Sequence, residues 1–224
     1  MNARLLLQCM TGLLIVSFVP VLLAADPPLG NAQAFFTALG DLPGGPFESS
    51  ANAISPDGTV VVGYGRTYGG FRAFRWADGA MTELAGLPTE NVEASEAYGA
   101  TAKGRIVVGN LRGFDFVERV FIWNDGQVTY IYPEELGTLG VRASAVSYDG
   151  TVIVGLATNP GEEAYLWNQG AVTHLGTLGQ RSYARDVSRD GSRVIGFGDF
   201  GSSFRGILWT DGMIGALETP QDSV

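Results

Sequence analysis

Four copies of one pattern run through this 224-residue chain. Each opens with a turn signal and a β-branched run closed by glycine. Asp57-Gly58 precedes Val60-Val61-Val62-Gly63, and Lys103-Gly104 precedes Ile106-Val107-Val108-Gly109. Asp149-Gly150 precedes Val152-Ile153-Val154-Gly155, and Asp190-Gly191 precedes Val194-Ile195-Gly196. Each copy ends in a tryptophan, a second turn and an alternating stretch, as in Trp76-Ala77-Asp78-Gly79 before Met81-Thr82-Glu83-Leu84. Trp76, Trp123, Trp167 and Trp209 are 47, 44 and 42 residues apart; Gly58, Gly104, Gly150 and Gly191 are 46, 46 and 41 apart. A strand-rich period of this length is that of a propeller blade, which buries its faces only against neighbouring blades.

The unit divides into four strands. The first precedes the Asp-Gly turn, where an aspartate before glycine tolerates the positive φ of a tight hairpin. The second is the β-branched run, apolar on both faces and so sandwiched between blades. The third ends in tryptophan. The fourth alternates, with one packed and one wet face. The predicted fold is all-β: a β-propeller of four four-stranded blades of about 44 residues, either a closed four-bladed ring or the open half of a larger one. Residues 35–39 match strand four, which leaves one strand too many at ring closure. An unclosed ring exposes an edge that invites pairing with another chain, so a monomer and an edge-paired homodimer are both expected.

The ends and the composition frame this domain. Residues 1–25 hold one charge, Arg4, then an apolar run ending in Ala24-Ala25. That is the form of a secretory signal peptide. Residues 26–34 read as a linker, 35–217 as one repeat domain and 218–224 as a tail. Export places the chain outside the cell or in the cell envelope, with no stable membrane insertion after cleavage. Cys9 is the only cysteine, so the exported part has no disulfide and no thiolate chemistry. The 32 glycines with 11% aromatic residues indicate tight turns between packed strands. A formal charge of -9, with dispersed acids, works against nucleic-acid binding and adhesion to anionic membranes.

The units resemble the HAF-type extracellular repeat family of bacteria. The resemblance rests on Gly40-Asp41-Leu42-Pro43-Gly44-Gly45, on Ala53-Ile54-Ser55-Pro56-Asp57-Gly58 with Val61-Val62-Gly63, on Ala73-Phe74-Arg75-Trp76, and on Leu175-Gly176-Thr177-Leu178-Gly179. Lys103 departs from the family's turn aspartate, and Gly206-Ile207-Leu208-Trp209 departs from its third strand. The resemblance implies secretion and a propeller-like fold. It implies no reaction.

The repeated residues read as scaffold. The regular recurrence of the four tryptophans favours a packed blade-to-blade layer over a ring of sugar-binding platforms. Asp57, Gly58, Gly104, Asp149, Gly150, Asp190 and Gly191 are explained by turn chemistry. No metal site is expected, because calcium needs six to eight converging oxygens and each turn offers one carboxylate. No cofactor is called for. Arg72, Arg119 and Arg205 share a position four residues before tryptophan, where salt bridges or cation–π contacts between blades are expected. His174, the single histidine, falls on the polar phase of strand four. No catalytic residue is assigned.

Ligand binding is expected on the connections between strands two and three, which emerge on one face. They carry Arg66, Tyr68 and Phe71 in the first unit, Arg112, Phe114 and Phe116 in the second, and Phe200 and Phe204 in the fourth. Aromatic, glycine-rich loops on one face form a binding surface for a protein or a glycan. The alternative is a carbohydrate-active enzyme, a glycan hydrolase or lyase, using Glu93, Asp115 and Asp199. That chemistry needs two facing carboxyl groups.

Overall fold

A computed structural model of the chain describes residues 36–158, 161–201 and 203–217. The expected signal peptide, linker and tail lie outside the described residues, and one compact unit begins at Ala38. No helix among the described residues is long and apolar enough to cross a membrane. The fold is all-β. Blade 1 comprises β1 (Ser49–Ile54), β2 (Val60–Thr67), β3 (Gly70–Ala77) and β4 (Ala80–Glu83). Blade 2 comprises β5 (Val92–Ala100), β6 (Ile106–Gly113), β7 (Glu118–Asn124) and β8 (Gln127–Ile131). Blade 3 comprises β9 (Gly140–Val146), β10 (Val152–Thr158), β11 (Glu162–Asn168) and β12 (Ala171–His174). Blade 4 comprises β13 (Ser182–Val187), β14 (Arg193–Phe200), β15 (Ser203–Thr210) and β16 (Met213–Ala216). Each blade is an antiparallel meander, and one parallel pair, Phe71 with Ala94, joins the first two into an eight-stranded sheet.

The β-branched runs of blades 2 and 3 are buried because each lies between two blades, whereas those of blades 1 and 4 pack on one side, leaving Val61 half-buried and Ile195 exposed. Val60 and Val62 pack with Val107 and Trp123 between blades 1 and 2. Val108 packs with Ile153 and Tyr165 between blades 2 and 3. Val152 and Val154 pack with Val194 and Trp209 between blades 3 and 4. Each such aliphatic side chain removed from water contributes about 1.5–3 kcal/mol. Among the described residues there are thus three apolar interfaces for four blades, and no sheet closes on itself.

The glycine that closes each run has one cause. The first strand of every blade carries a bulge opposite it. A Cβ on Gly63, Gly109, Gly155 or Gly196 would overlap the carbonyl oxygen of Ser50, Glu96, Arg142 or Tyr183. Only glycine lets the bulged backbone come that close.

The two turns of a blade work differently. In the second, both Asp78 and Gly79 have positive φ, as do Asp125 and Gly126, Gln169 and Gly170, and Asp211 and Gly212. In the first turn of blade 1, Asp57 is not left-handed and Gly58 is. The expectation of positive φ at that aspartate is corrected: its carboxylate is a staple. Asp57 accepts the Ser55 hydroxyl at 2.6 Å, while Ser55 Oγ accepts the Val60 N–H at 2.9 Å. Asp149 and Asp190 accept Ser147 and Ser188 in the same way, at 2.7 and 2.6 Å.

The surplus strand is also corrected. Residues 36–39 form no strand, and blade 4 is completed by β16. Gly40 turns at φ 86°, Leu42 is buried, and Asp41 accepts the N–H groups of Leu42 and Glu48 at 2.8 and 2.6 Å. Leu39-Gly40-Asp41-Leu42 matches Leu84-Ala85-Gly86-Leu87, the connection that drives two leucines into the first interface. It is the link before a blade.

Candidate functional site

Trp123 and Trp209 are buried, Trp76 and Trp167 half-buried, and Trp123 donates its Nε1–H to the Ala85 carbonyl at 2.8 Å. Trp123, Trp167 and Trp209 pack in the inter-blade clusters, whereas Trp76 lies in none of them. The arginines before them are held within their own blades: Arg72 lies 3.9 Å from Glu83, Arg119 2.6 Å from Asp115, and Arg205 5.1 Å over the Phe200 ring. The ion pairs and the cation–π contact expected between blades thus run within one blade, and Arg72 alone of the three also reaches the next, donating to the Glu93 carbonyl at 3.5 Å. His174 is tied down as well, Nε2 lying 3.2 Å from the Leu136 carbonyl oxygen and Nδ1 3.2 Å from Glu163.

The eight loop residues all lie on the strand-two-to-three hairpins, but they do not converge. On blade 1, Arg66 lies 4.9 Å over the Phe71 ring while Tyr68 stands out in solvent. On blade 4, Phe200 is half-buried and Phe204 is 59% exposed. On blade 2, Phe114 and Phe116 are exposed, whereas Arg112 turns inward to pair with Glu93 at 2.8 Å.

Beside Phe114 is a cleft of about 510 Å³ lined by Pro88, Phe114, Asp115, Arg119, Tyr130 and Tyr132. Its aromatic wall is built by three elements: the β6–β7 hairpin supplies Phe114, and β8 and its exit supply Tyr130 and Tyr132, whose rings are 5.9 Å apart. Tyr130 in β8 and Tyr132 in the extended residue just beyond it fall on alternate positions and so on one side of the chain. Asp115 and Arg119 close the rim as an ion pair, with Asp115 also accepting the Val117 N–H at 3.1 Å. Apolar rings around a few fixed polar groups, at this volume, are the make-up of a ligand pocket.

The three carboxylates considered for catalysis are each held by arginine. Glu93 pairs with Arg112, Asp115 with Arg119, and Asp199 with Arg181 at 3.0 Å. The Arg119 hydrogen bond pushes the Asp115 carboxyl below the ordinary range. The Arg181 backbone N–H, at 2.7 Å, and then its guanidinium do the same to Asp199. A general acid needs the opposite shift.

A second concave surface was not foreseen. Three adjoining cavities of about 180, 330 and 510 Å³ share Tyr98 and run along the innermost strands. Their polar lining comes from Glu96, Tyr98, Asn110, Arg142, Tyr183 and Arg185. Tyr98 donates to Glu96 at 2.5 Å, and Arg142 donates to Glu118 at 2.7 Å. A signal for it exists in the repeat. Ser50, Glu96, Arg142 and Tyr183 occupy one register position, as do Asn52, Tyr98, Ser144 and Arg185. At these repeat positions the residue changes while the alanine between them, Ala51, Ala97, Ala143 or Ala184, holds.

No family model matches the chain, and no curated protein does. Solved structures do. TolB from Acinetobacter baumannii superposes with a TM-score of 0.58 at 12% identity, over 76% of this chain and 43% of that one. A TolB-type protein from Agrobacterium tumefaciens gives 0.56 at 14%, over 73% and 62%. A puromycin-hydrolysing peptidase from Mycobacterium tuberculosis gives 0.52 at 15%, over 77% and 29%. The chain therefore spans less than two thirds of the length of each. At these identities the likeness is one of fold, and it places the four meanders among propeller-type all-β proteins.

Proposed function

We propose that this chain is an exported, non-catalytic binding module, a HAF-type repeat protein whose four blades are part of a propeller and whose hairpin end takes the ligand. The observation that carries the reading is the cleft of about 510 Å³ walled by Phe114, Tyr130 and Tyr132. Exposed rings beside a fixed ion pair suit a ligand with apolar faces and hydroxyl edges, so a glycan is the class to test first. The likeness to peptidases speaks for the fold alone, and arginine-held carboxylates favour binding over hydrolysis.

The test is a glycan array followed by calorimetry on the hits. Phe114→Ala and Tyr132→Ala are expected to weaken binding about tenfold each, with the melting temperature unchanged because both side chains are exposed. Binding that survives the double variant, or hydrolysis of a bound glycan, removes the reading.

A further inference from the structure

Among the described residues, blade 1 presents an apolar ladder with no blade in front of it. Val61, Trp76 and Met81 are direct cross-strand partners on β2, β3 and β4, and all three are half-buried. The same register positions elsewhere are Val107, Trp123 and Val128; Ile153, Trp167 and Val172; and Val194, Trp209 and Ile214. Each of those ladders is docked on the preceding blade. A face built four times and docked three times leaves one dock to be filled.

Among the described residues, no blade covers the receiving face of blade 4. Val60 and Val62 receive the ladder of blade 2; the equivalent residues of blade 4 are Arg193 and Ile195. Ile195 is 48% exposed. Beside it Phe197 lies between Tyr183, stacked at 4.7 Å, and Phe204 at 5.6 Å, with Arg185 4.9 Å over its ring. Aromatic residues and arginine around an aliphatic centre are the composition of a protein interface.

We propose that the free face of blade 4 receives the free face of blade 1 from a second copy of this chain, head to tail. Two observations select that occupant. Within the chain, Gly104, Gly150 and Gly191, each at the first turn of its blade, lie against Val60, Ile106 and Val152 of the blade before. Continued once more, the pattern sets Arg193 under the Asp57-Gly58 turn of the second copy. Asp57 is exposed, and Arg193 has no carboxylate within 4 Å among the described residues. The charge is also opposite on the scale of the blade: residues 180–217 hold five arginines against four aspartates, and residues 38–91 three arginines against six acids. The joint is heterologous, so each copy keeps one face of each kind.

Sedimentation velocity of the full chain from about 1 to 100 µM tests this, a range that brackets micromolar joints. Association is expected to rise with concentration and to weaken as salt rises. Ile195→Asp is expected to return the protein to single chains at an unchanged melting temperature. Trp76→Arg is expected to do the same, with Met81→Arg in its place if Trp76→Arg lowers the melting temperature. A mixture of the blade 1 and blade 4 variants should regain association, because each supplies the face that the other lacks. A wild-type chain that stays single throughout, association that persists in Ile195→Asp, or a mixture that stays single overturns the proposal; capture of a different protein by blade 4 would then name another occupant.

Discussion

The Asp57 carboxylate accepts the backbone N–H of Lys103 at 3.0 Å, so the first turn of blade 1 is tied to the first turn of blade 2. The same carboxylate holds Ser55 and Thr59. These bonds, Ser55 foremost, bring its pKa down to about 2, and the Ser188 hydroxyl brings Asp190 down to about 2. A depressed carboxyl stabilises the fold fully above its unfolded pKa of about 3.9, and that contribution is lost as pH falls through the folded value. The melting temperature is therefore expected to be flat above about pH 5 and to fall between about pH 4 and pH 2. Asp57→Asn should lower it at neutral pH and flatten the acid limb, followed by circular dichroism. An unchanged acid limb in Asp57→Asn with Asp190→Asn would remove these turns as its source.

Gly155→Ala tests the bulge. A Cβ there would lie 3.0 Å from Ala143 Cα and nearer still to the Arg142 carbonyl oxygen, and neither backbone atom can yield. The cost is expected at roughly 2–4 kcal/mol, the range for strain forced into a packed interior. Gly79→Ala meets open space and bears only its φ of 81°, for about 1 kcal/mol. Urea denaturation of both variants should give that order; equal costs would mean that the bulge relaxes.

The glycine at Gly155 also marks how much was legible. The four-stranded meanders followed from Val152-Ile153-Val154-Gly155 and its equivalents, and burial of that strand on both faces holds in blades 2 and 3 but not at Val61 or Ile195. The meaning of the glycine did not, because a bulge is a relation between two strands. Residues 35–39 were misread for a similar reason: an apolar run closed by leucine and glycine suits both an outer strand and the link before a blade, and the left-handed turn at Gly40 decides between them. The loop face was partly legible. Phe114 lines the cleft, but Tyr130 and Tyr132 were hidden in an alternating strand, and Arg112 was drawn inward by Glu93.

Tyr165→Phe is expected to stabilise. Phe74 and Phe121 occupy the same position in blades 1 and 2, and all three side chains are fully buried. The Tyr165 hydroxyl is buried without a hydrogen-bond partner among the described residues, and burial pushes its pKa far up. Removing an unpaired hydroxyl while keeping the ring is worth about 1 kcal/mol. A rise in the urea midpoint at unchanged slope checks this, and a fall would mean that an ordered water satisfies the hydroxyl.

Trp123 and Trp209 hold the same position yet should differ on replacement by phenylalanine. Both are buried in inter-blade clusters. Trp123 donates to the Ala85 carbonyl, so Trp123→Phe leaves that acceptor without its donor and costs about 1–3 kcal/mol beyond the lost ring area. Trp209 Nε1 is buried with no partner among the described residues, so Trp209→Phe removes an unpaired donor and offsets part of its own cavity. The measured difference between the two variants, taken from urea melts at one pH, is expected to favour Trp209→Phe by about 2 kcal/mol. Equal losses would show that the tryptophans act through ring volume alone, and that the bond to Ala85 adds nothing to the docking of blade 2 on blade 1.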